Sequence, residues 1–307
     1  MDKRLCRLSS TCSFLSTSLC LTNRSRGLRF ATPLNSAVGR HSRTEHMQHA
    51  YRDDLAYIHD AGFGHLAASA APMVIEELRR VGALSGTMVD LGCGSGITSR
   101  LLCDAGYEVI GIDLSEPLLQ IARERVPKAA FRMGSFAKAD IPPCVAVTAI
   151  GEVFNYTFDT ANSATVRAKA FDRIYAALPP GGLFVFDMAG PARAPSHSPQ
   201  RTFAEGSDWA VLVETEANID NNLLTRRITS FRKLGEFYRR DFEIHQLQLV
   251  DPVEVVEQLQ RIGFFVQILD CYGSLPLPQG LVGFLARKPA SVAAQQIVPG
   301  DSATLRP

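Results

Sequence analysis

The residues best suited to chemistry sit in Asp90-Leu91-Gly92-Cys93-Gly94-Ser95-Gly96, followed by a second acid, Asp113, that closes the apolar run Val109-Ile110-Gly111-Ile112. Glycines at 92, 94 and 96 allow a sharp backbone turn and close approach to a ligand, because a Cβ there would clash or forbid positive φ. A carboxylate at the end of the next strand can accept both hydroxyl protons of a ribose, at roughly 1.5–3 kcal/mol per charge-assisted bond when sheltered. The spacing also excludes a ligand class. A dinucleotide fingerprint needs a third glycine where Ile97 stands, so that a helix N-terminus can face a pyrophosphate. The loop is therefore expected to hold a nucleoside-like ligand without phosphates.

The elements that must position these residues follow from the periodicity. Residues 88–91, 107–112, 130–133, 145–150 and 183–187 read as strands, and 97–104, 115–125 and 163–178 as helices between them. The second helix opens on a Ser115 cap with Glu116 and Pro117 in its first turn. Alternation of this kind predicts an α/β fold, a doubly wound and mostly parallel sheet, Rossmann-like in layout. Before it, residues 53–81 are helical in pattern, broken at Gly62-Phe63-Gly64 and restarted with Pro72 near a helix start. After it the period changes to two. Residues 209–214, 223–231 and 237–249 predict antiparallel strands, with turns at Asp220-Asn221-Asn222 and Gly235. A helix over 252–262 ending at Gly263, and strands over 264–269 and 281–287, complete the sheet.

Loop, acid and a Leu178-Pro179-Pro180-Gly181-Gly182-Leu183 turn in this order resemble the class I S-adenosylmethionine-dependent methyltransferases, over about residues 51–288. The resemblance implies a methyltransferase that takes S-adenosyl-L-methionine as its cofactor. It implies cofactor contacts at Asp90, Gly92, Cys93, Gly94, Gly96, Asp113 and Leu114. Ser135 and Phe136 match the adenine region, although many relatives carry an acid where Ser135 stands. Gly151, Glu152 and Asn155, after the fourth strand, match the place where the family contacts the methionine portion and the acceptor. An antiparallel insertion after strand five occupies the place of a substrate lid in the small-molecule branch, so methyl transfer to an N or O atom of a small acceptor is expected. Another reading makes the ribbon a dimerisation arm, and a non-catalytic S-adenosylmethionine-binding regulator or subunit would keep the same glycines and Asp113.

Methyl transfer from a sulfonium relies mainly on positioning and exclusion of water, and needs a base only when the acceptor must lose a proton. Glu243 and His245, two apart and so on one strand face, are the candidates for acid–base or orienting work; a solvated strand face is the plainer alternative. Tyr51, Tyr57 and His59 on the helical cap could close over the methionine end, and Arg240 could meet an anionic acceptor group. Asn155, Tyr57 and Arg240 are accordingly substrate candidates. No N/D-P-P-Y/F element follows the fourth strand, which disfavours methylation of nucleic-acid amino groups.

The 307 residues are 46% hydrophobic and 21% charged with a net charge of +1, ordinary for a globular chain. Charge is uneven, however: residues 1–44 hold eight Lys or Arg against Asp2 alone, leaving the remainder mildly acidic and without the basic surface that nucleic acid requires. Residues 1–46 read as a disordered leader, a transit-like segment, or upstream sequence ahead of a true start at Met47. Residues 47–84 are expected to form a helical cap, 85–190 and 251–289 the cofactor-binding core, 191–250 the lid, and 290–307 a disordered tail. Seven scattered cysteines without a C-x-x-C pair suit a reducing compartment, so a cytoplasmic protein with no metal site is expected. No segment reaches the ~20 apolar residues of a membrane span.

Overall fold

A computed structural model describes residues 50–290; the leader, the Met47 start and the tail beyond 290 lie outside the described residues. Two helices come first, α1 (Asp53–Gly62) and α2 (His65–Arg80). Five parallel strands follow with their helices: β1 (Thr87–Leu91), α3 (Ile97–Asp104), β2 (Glu108–Asp113), α4 (Glu116–Arg125), β3 (Ala130–Met133), β4 (Ala146–Ala149), α5 (Ala164–Ala177) and β5 (Leu183–Ala189). Next comes an antiparallel sheet of β6 (Gln200–Glu205), β7 (Trp209–Asn218), β8 (Leu223–Leu234) and β9 (Phe237–Gln248). Then α6 (Pro252–Ile262), β10 (Phe265–Leu269), the two-stranded β11 (Cys271–Tyr272) and β12 (Leu275–Pro276), and β13 (Leu281–Arg287) close the chain.

The main sheet has seven strands in the order β10-β13-β5-β4-β1-β2-β3, with β13 antiparallel to both its neighbours. The central strands β4 and β5 are buried along their whole length, as their continuous apolar sequences require when helices cover both faces. Along β5 the two-residue period splits the core. Phe184, Phe186 and Met188 pack with Phe171, Ile174, Val255 and Leu259 of α5 and α6, while Leu183 and Val185 pack with Val74 and Leu78 of α2 and Leu102 of α3. The strand order reverses between β1 and β4, so the crevice outside their carboxyl ends is the ligand position of such folds.

Local signals set most helix boundaries. Ser115, Ser163 and Asp251 cap α4, α5 and α6 by accepting from the backbone N–H of Leu118, Val166 and Val253, and Gly263 ends α6 in a left-handed conformation. Pro72 departs from expectation: α2 begins at His65 and carries Pro72 in its interior. Burial of the Ala70, Ala71, Val74, Ile75 and Leu78 face outweighs the backbone bond that the proline forgoes. Sequence reading also missed β6, an exposed edge strand rich in polar residues, and the short β11–β12 pair.

The four-stranded sheet leaves the core after Ala189 and returns beside it, where Val250 N–H donates to the Ala189 carbonyl at 3.0 Å. Its inner face packs Trp209, Val211 and Ile228 against Leu55 and Ile58 of α1. Among the described residues no helix is long and apolar enough to cross a membrane.

Candidate functional site

A cavity of about 220 Å³ lies at the carboxyl ends of β1, β2 and β4, with Asp90, Gly92, Cys93, Gly94, Asp113, Leu114, Phe136 and Gly151 in its lining. The turn after β1 delivers the glycines. Gly94 has φ +52°, and no heavy atom lies within 4 Å of where a Cβ would stand; Gly151 at φ +97° is equally open. Both present bare backbone to the cavity, the cradle that a ligand approaching main chain requires. Gly96, also left-handed, caps α3 and does not itself line the cavity.

Two carboxylates frame this loop. Asp113 accepts the Gly94 N–H at 2.9 Å and the Ser115 N–H at 2.8 Å, which fixes the glycine turn against the end of β2. Burial raises its pKa, against those backbone bonds. Asp90 accepts from Ser99 Oγ at 2.7 Å and Thr148 Oγ1 at 2.8 Å, and desolvation pushes it up to about 6. Cys93 is buried with its thiol pKa raised well above the ordinary value by burial, so it stays protonated and inert as a nucleophile.

The adenine-side residues divide differently from expectation. Phe136 lines the cavity, its ring 4.9 Å from that of Phe154, whereas Ser135 stands behind it and donates to the carboxylate of Asp159, which does line the cavity. The carboxylate bordering the cavity beside Phe136 thus arrives from the loop after β4.

That loop also carries two other site candidates, Glu152 and Asn155. Glu152, at φ +63°, turns away from the cavity and takes a bidentate pair of bonds from Arg226 of β8 at 2.7 and 2.9 Å, with Arg193 at 3.1 Å. Burial opposes its ionisation, but the two guanidiniums win and hold its pKa below the usual carboxylate value. Asn155 is fully buried. Its Nδ2 donates to the carbonyls of Ala189 and Gln248, and its Oδ1 accepts the Ala189 N–H, so it stitches β5 to β9. Neither side chain borders the cavity, although Gly151, Val153 and Tyr156 do.

Glu243 and His245 are on one face of β9, as expected, but that face is the inner one; they are 4% and 1% exposed and neither borders the cavity. Glu243 accepts the backbone N–H of Tyr51 at 2.7 Å and of Arg52 at 2.9 Å, and pairs with His245 Nε2 at 2.9 Å. The solvated-face alternative is excluded by the docking of residues 51–62 onto the sheet. Tyr57 also lies off the cavity, its hydroxyl donating to Asp208 at 2.7 Å under the Arg232 guanidinium, and Arg240 is exposed on β9.

Of the three cap residues considered from the sequence, Tyr51 and His59 do line the cavity, and Tyr156, which the sequence did not single out, joins them. Tyr51 stands at φ +55°, its carbonyl receiving the Ser115 hydroxyl at 2.8 Å and its own hydroxyl 2.9 Å from that of Tyr156. Tyr156 is fixed because residues 155–157 pair with β9, Thr157 N–H donating to the Gln246 carbonyl and Gln248 N–H to that of Asn155. His59 of α1 lines the cavity with its ring 5.0 Å from Tyr51, and its Nδ1 is sealed without a partner. Desolvation drops the His59 pKa to about 4, so the imidazole is neutral at physiological pH.

Residues 88–182 match the family model described as a methyltransferase domain. The trans-aconitate 2-methyltransferase of Paracidovorax citrulli is 29% identical over 229 residues, which cover 71% of this chain and 82% of that one. The enzyme of the same description from Variovorax paradoxus is 30% identical over 191 residues, covering 57% and 67%. The chain belongs to the class I S-adenosylmethionine-dependent methyltransferases. The fold of this methyltransferase is shared with solved relatives at low identity. A crystallised methyltransferase from Clostridium acetobutylicum superposes with a TM-score of 0.66 at 19% identity, over 76% of this chain and 98% of that one. An amino pentose methyltransferase from Micromonospora echinaspora, with S-adenosylmethionine bound, gives 0.61 at 17% identity, over 75% and 96%.

The cofactor of the methyltransferase is therefore S-adenosyl-L-methionine, which supplies a methyl group activated by its sulfonium charge. The cavity fits it on independent grounds. Bare backbone at Gly94 and Gly151 leaves room for close approach, and the Asp90, Asp113 and Asp159 carboxylates favour a cation.

Proposed function

We propose that this methyltransferase acts on an N or O atom of a small-molecule acceptor, bound where the α1 segment and the four-stranded sheet meet over the cavity. The observation that carries the reading is the Tyr51 backbone, which is bonded at one end to Glu243 of β9 and at the other to Ser115 beside Asp113. Main chain tied across both halves leaves an enclosed acceptor space, suited to a small molecule rather than a polymer. Residues 191–250 then act as the lid, over a core of 85–190 and 251–289. Asp113 receives the ribose hydroxyls, and Asp159, oriented by Ser135, meets the adenine amino group.

Positioning carries most of the rate in this design. Tyr51 and Tyr156, both with pKa raised by burial, stay protonated and present hydroxyls for orienting an acceptor. Glu243 and His245 work at one remove, by fixing the Tyr51 backbone. Relatives described as trans-aconitate 2-methyltransferases make a carboxylate oxygen one acceptor to test. The experiment is release of S-adenosylhomocysteine from S-adenosylmethionine in the presence of trans-aconitate and a panel of small amines, alcohols and carboxylic acids. Turnover with one or more of these is expected; turnover with RNA or protein alone would overturn the small-molecule reading.

A further inference from the structure

Four rings gather on one side of the cavity. Tyr51 and His59 lie 5.0 Å apart, Tyr156 and Phe158 lie 4.7 Å apart, and the two tyrosine rings are 6.3 Å apart in an edge arrangement. All four border the same space. We propose that the Tyr51–Tyr156 hydroxyl pair, with the His59 and Phe158 rings beside it, is the wall that recognises the sulfonium charge, so that the protein holds the charged methyl donor in preference to its neutral product. This rests on the assignment of the cavity to S-adenosylmethionine.

Three further observations support it. In the pair one hydroxyl donates to the other at 2.9 Å, and each oxygen keeps lone-pair density for a positive centre, while aromatic faces attract cations through their quadrupole. A positive imidazole would repel a sulfonium, but His59 is held neutral by desolvation. Lastly, a tyrosine at φ +55° carries a backbone cost, and a conformation of that kind persists only where its surroundings over-determine it. Glu243 and Ser115 do so here, bonding the residue at both its N–H and its carbonyl. Mere packing of a ring needs no such restraint.

Binding alone tests the wall, with no acceptor required. Affinities for S-adenosylmethionine, S-adenosylhomocysteine and sinefungin, which carries an amino group in place of the sulfonium methyl, would be measured by calorimetry on the full chain. The native protein should bind the two cationic ligands more tightly than S-adenosylhomocysteine. In Tyr51→Leu and Tyr156→Leu both cationic ligands should weaken about tenfold, while S-adenosylhomocysteine stays within threefold. Equal losses for all three ligands would mean that the tyrosines only pack, and the proposal falls. Should the leucine variants not fold, Tyr51→Phe and Tyr156→Phe keep the rings; a drop of at least threefold in the preference for charge supports the hydroxyl pair, and an unchanged preference overturns it. A native protein that binds none of the ligands would instead refute the assignment of the cavity.

Discussion

At the scale of single residues, the site divides into groups that meet the ligand and groups that hold them. Asp113 is proposed to do both: its two oxygens fix Gly94 and Ser115, and it borders the cavity where the ribose would lie. Asp113→Ala should weaken S-adenosylmethionine binding by about 1.5–3 kcal/mol; unchanged affinity by calorimetry would remove the ribose assignment. Gly94→Val should do more damage, because a β-branched residue at φ +52° is strained and its side chain fills the open cradle. Asp90 makes the site sensitive to acid. Its pKa near 6 means that it is ionised at pH 7.5 and gains a proton on the way to pH 5, so the cavity loses negative charge and the cationic cofactor should bind more weakly. Asp90→Asn should flatten that dependence between pH 7.5 and 5.5, whatever its effect on affinity at pH 7.5.

Why some residues were readable and others were not is a matter of sequence distance. The glycine turn and Asp113 lie within one strand–helix–strand unit, where chemistry dictates residue type at fixed spacing. Tyr51 and Glu243 meet across 192 positions, and no local pattern records that the segment leading into α1 would dock on the inner face of β9. The same docking is what buries Glu243 and His245. Asp159 was missed because the local pattern pointed to position 135, while this carboxylate reaches the cavity from another loop, 24 residues on.

At the scale of elements, the parallel strands, their helices and the antiparallel ribbon were legible because burial on two faces, helix caps and alternation each leave their own period. Edge strand β6 was not, since Gln200, Arg201, Thr202 and Glu205 face water and carry no core pattern. The join between the core and the four-stranded sheet depends strongly on one side chain. Asn155 makes three hydrogen bonds, two of them buried to Ala189 and one part-buried to Gln248. Asn155→Ala orphans the buried Ala189 N–H, at about 1–3 kcal/mol, and takes one bond each from the Ala189 carbonyl, which keeps Val250, and the Gln248 carbonyl. Denaturation by urea should show a loss on the order of 3 kcal/mol, and a loss under ~1 kcal/mol would mean that solvent or relaxation satisfies those groups. Within the core, Phe186→Ala empties a fully buried ring site and should cost about 3–5 kcal/mol.

At the scale of the whole molecule, cofactor loop and four-stranded sheet sit on different stretches of chain and communicate through few ties: the Tyr51 backbone, the Glu152–Arg226 pair and the pairing of residues 155–157 with β9. The path of the chain adds one more property. It departs after Ala189 and rejoins at Val250, two residues bonded to each other, so the span between them begins and ends at a single doorway in the core. Such a span is a cassette. Ancestors could have traded one version for another without re-threading the sheet, provided that a carboxylate at the Glu243 position and a guanidinium at the Arg226 position came with it. A transplant of residues 191–249 from a relative, with those two side chains retained, should therefore fold around the resident cofactor pocket and carry the donor's taste in acceptors to a new host.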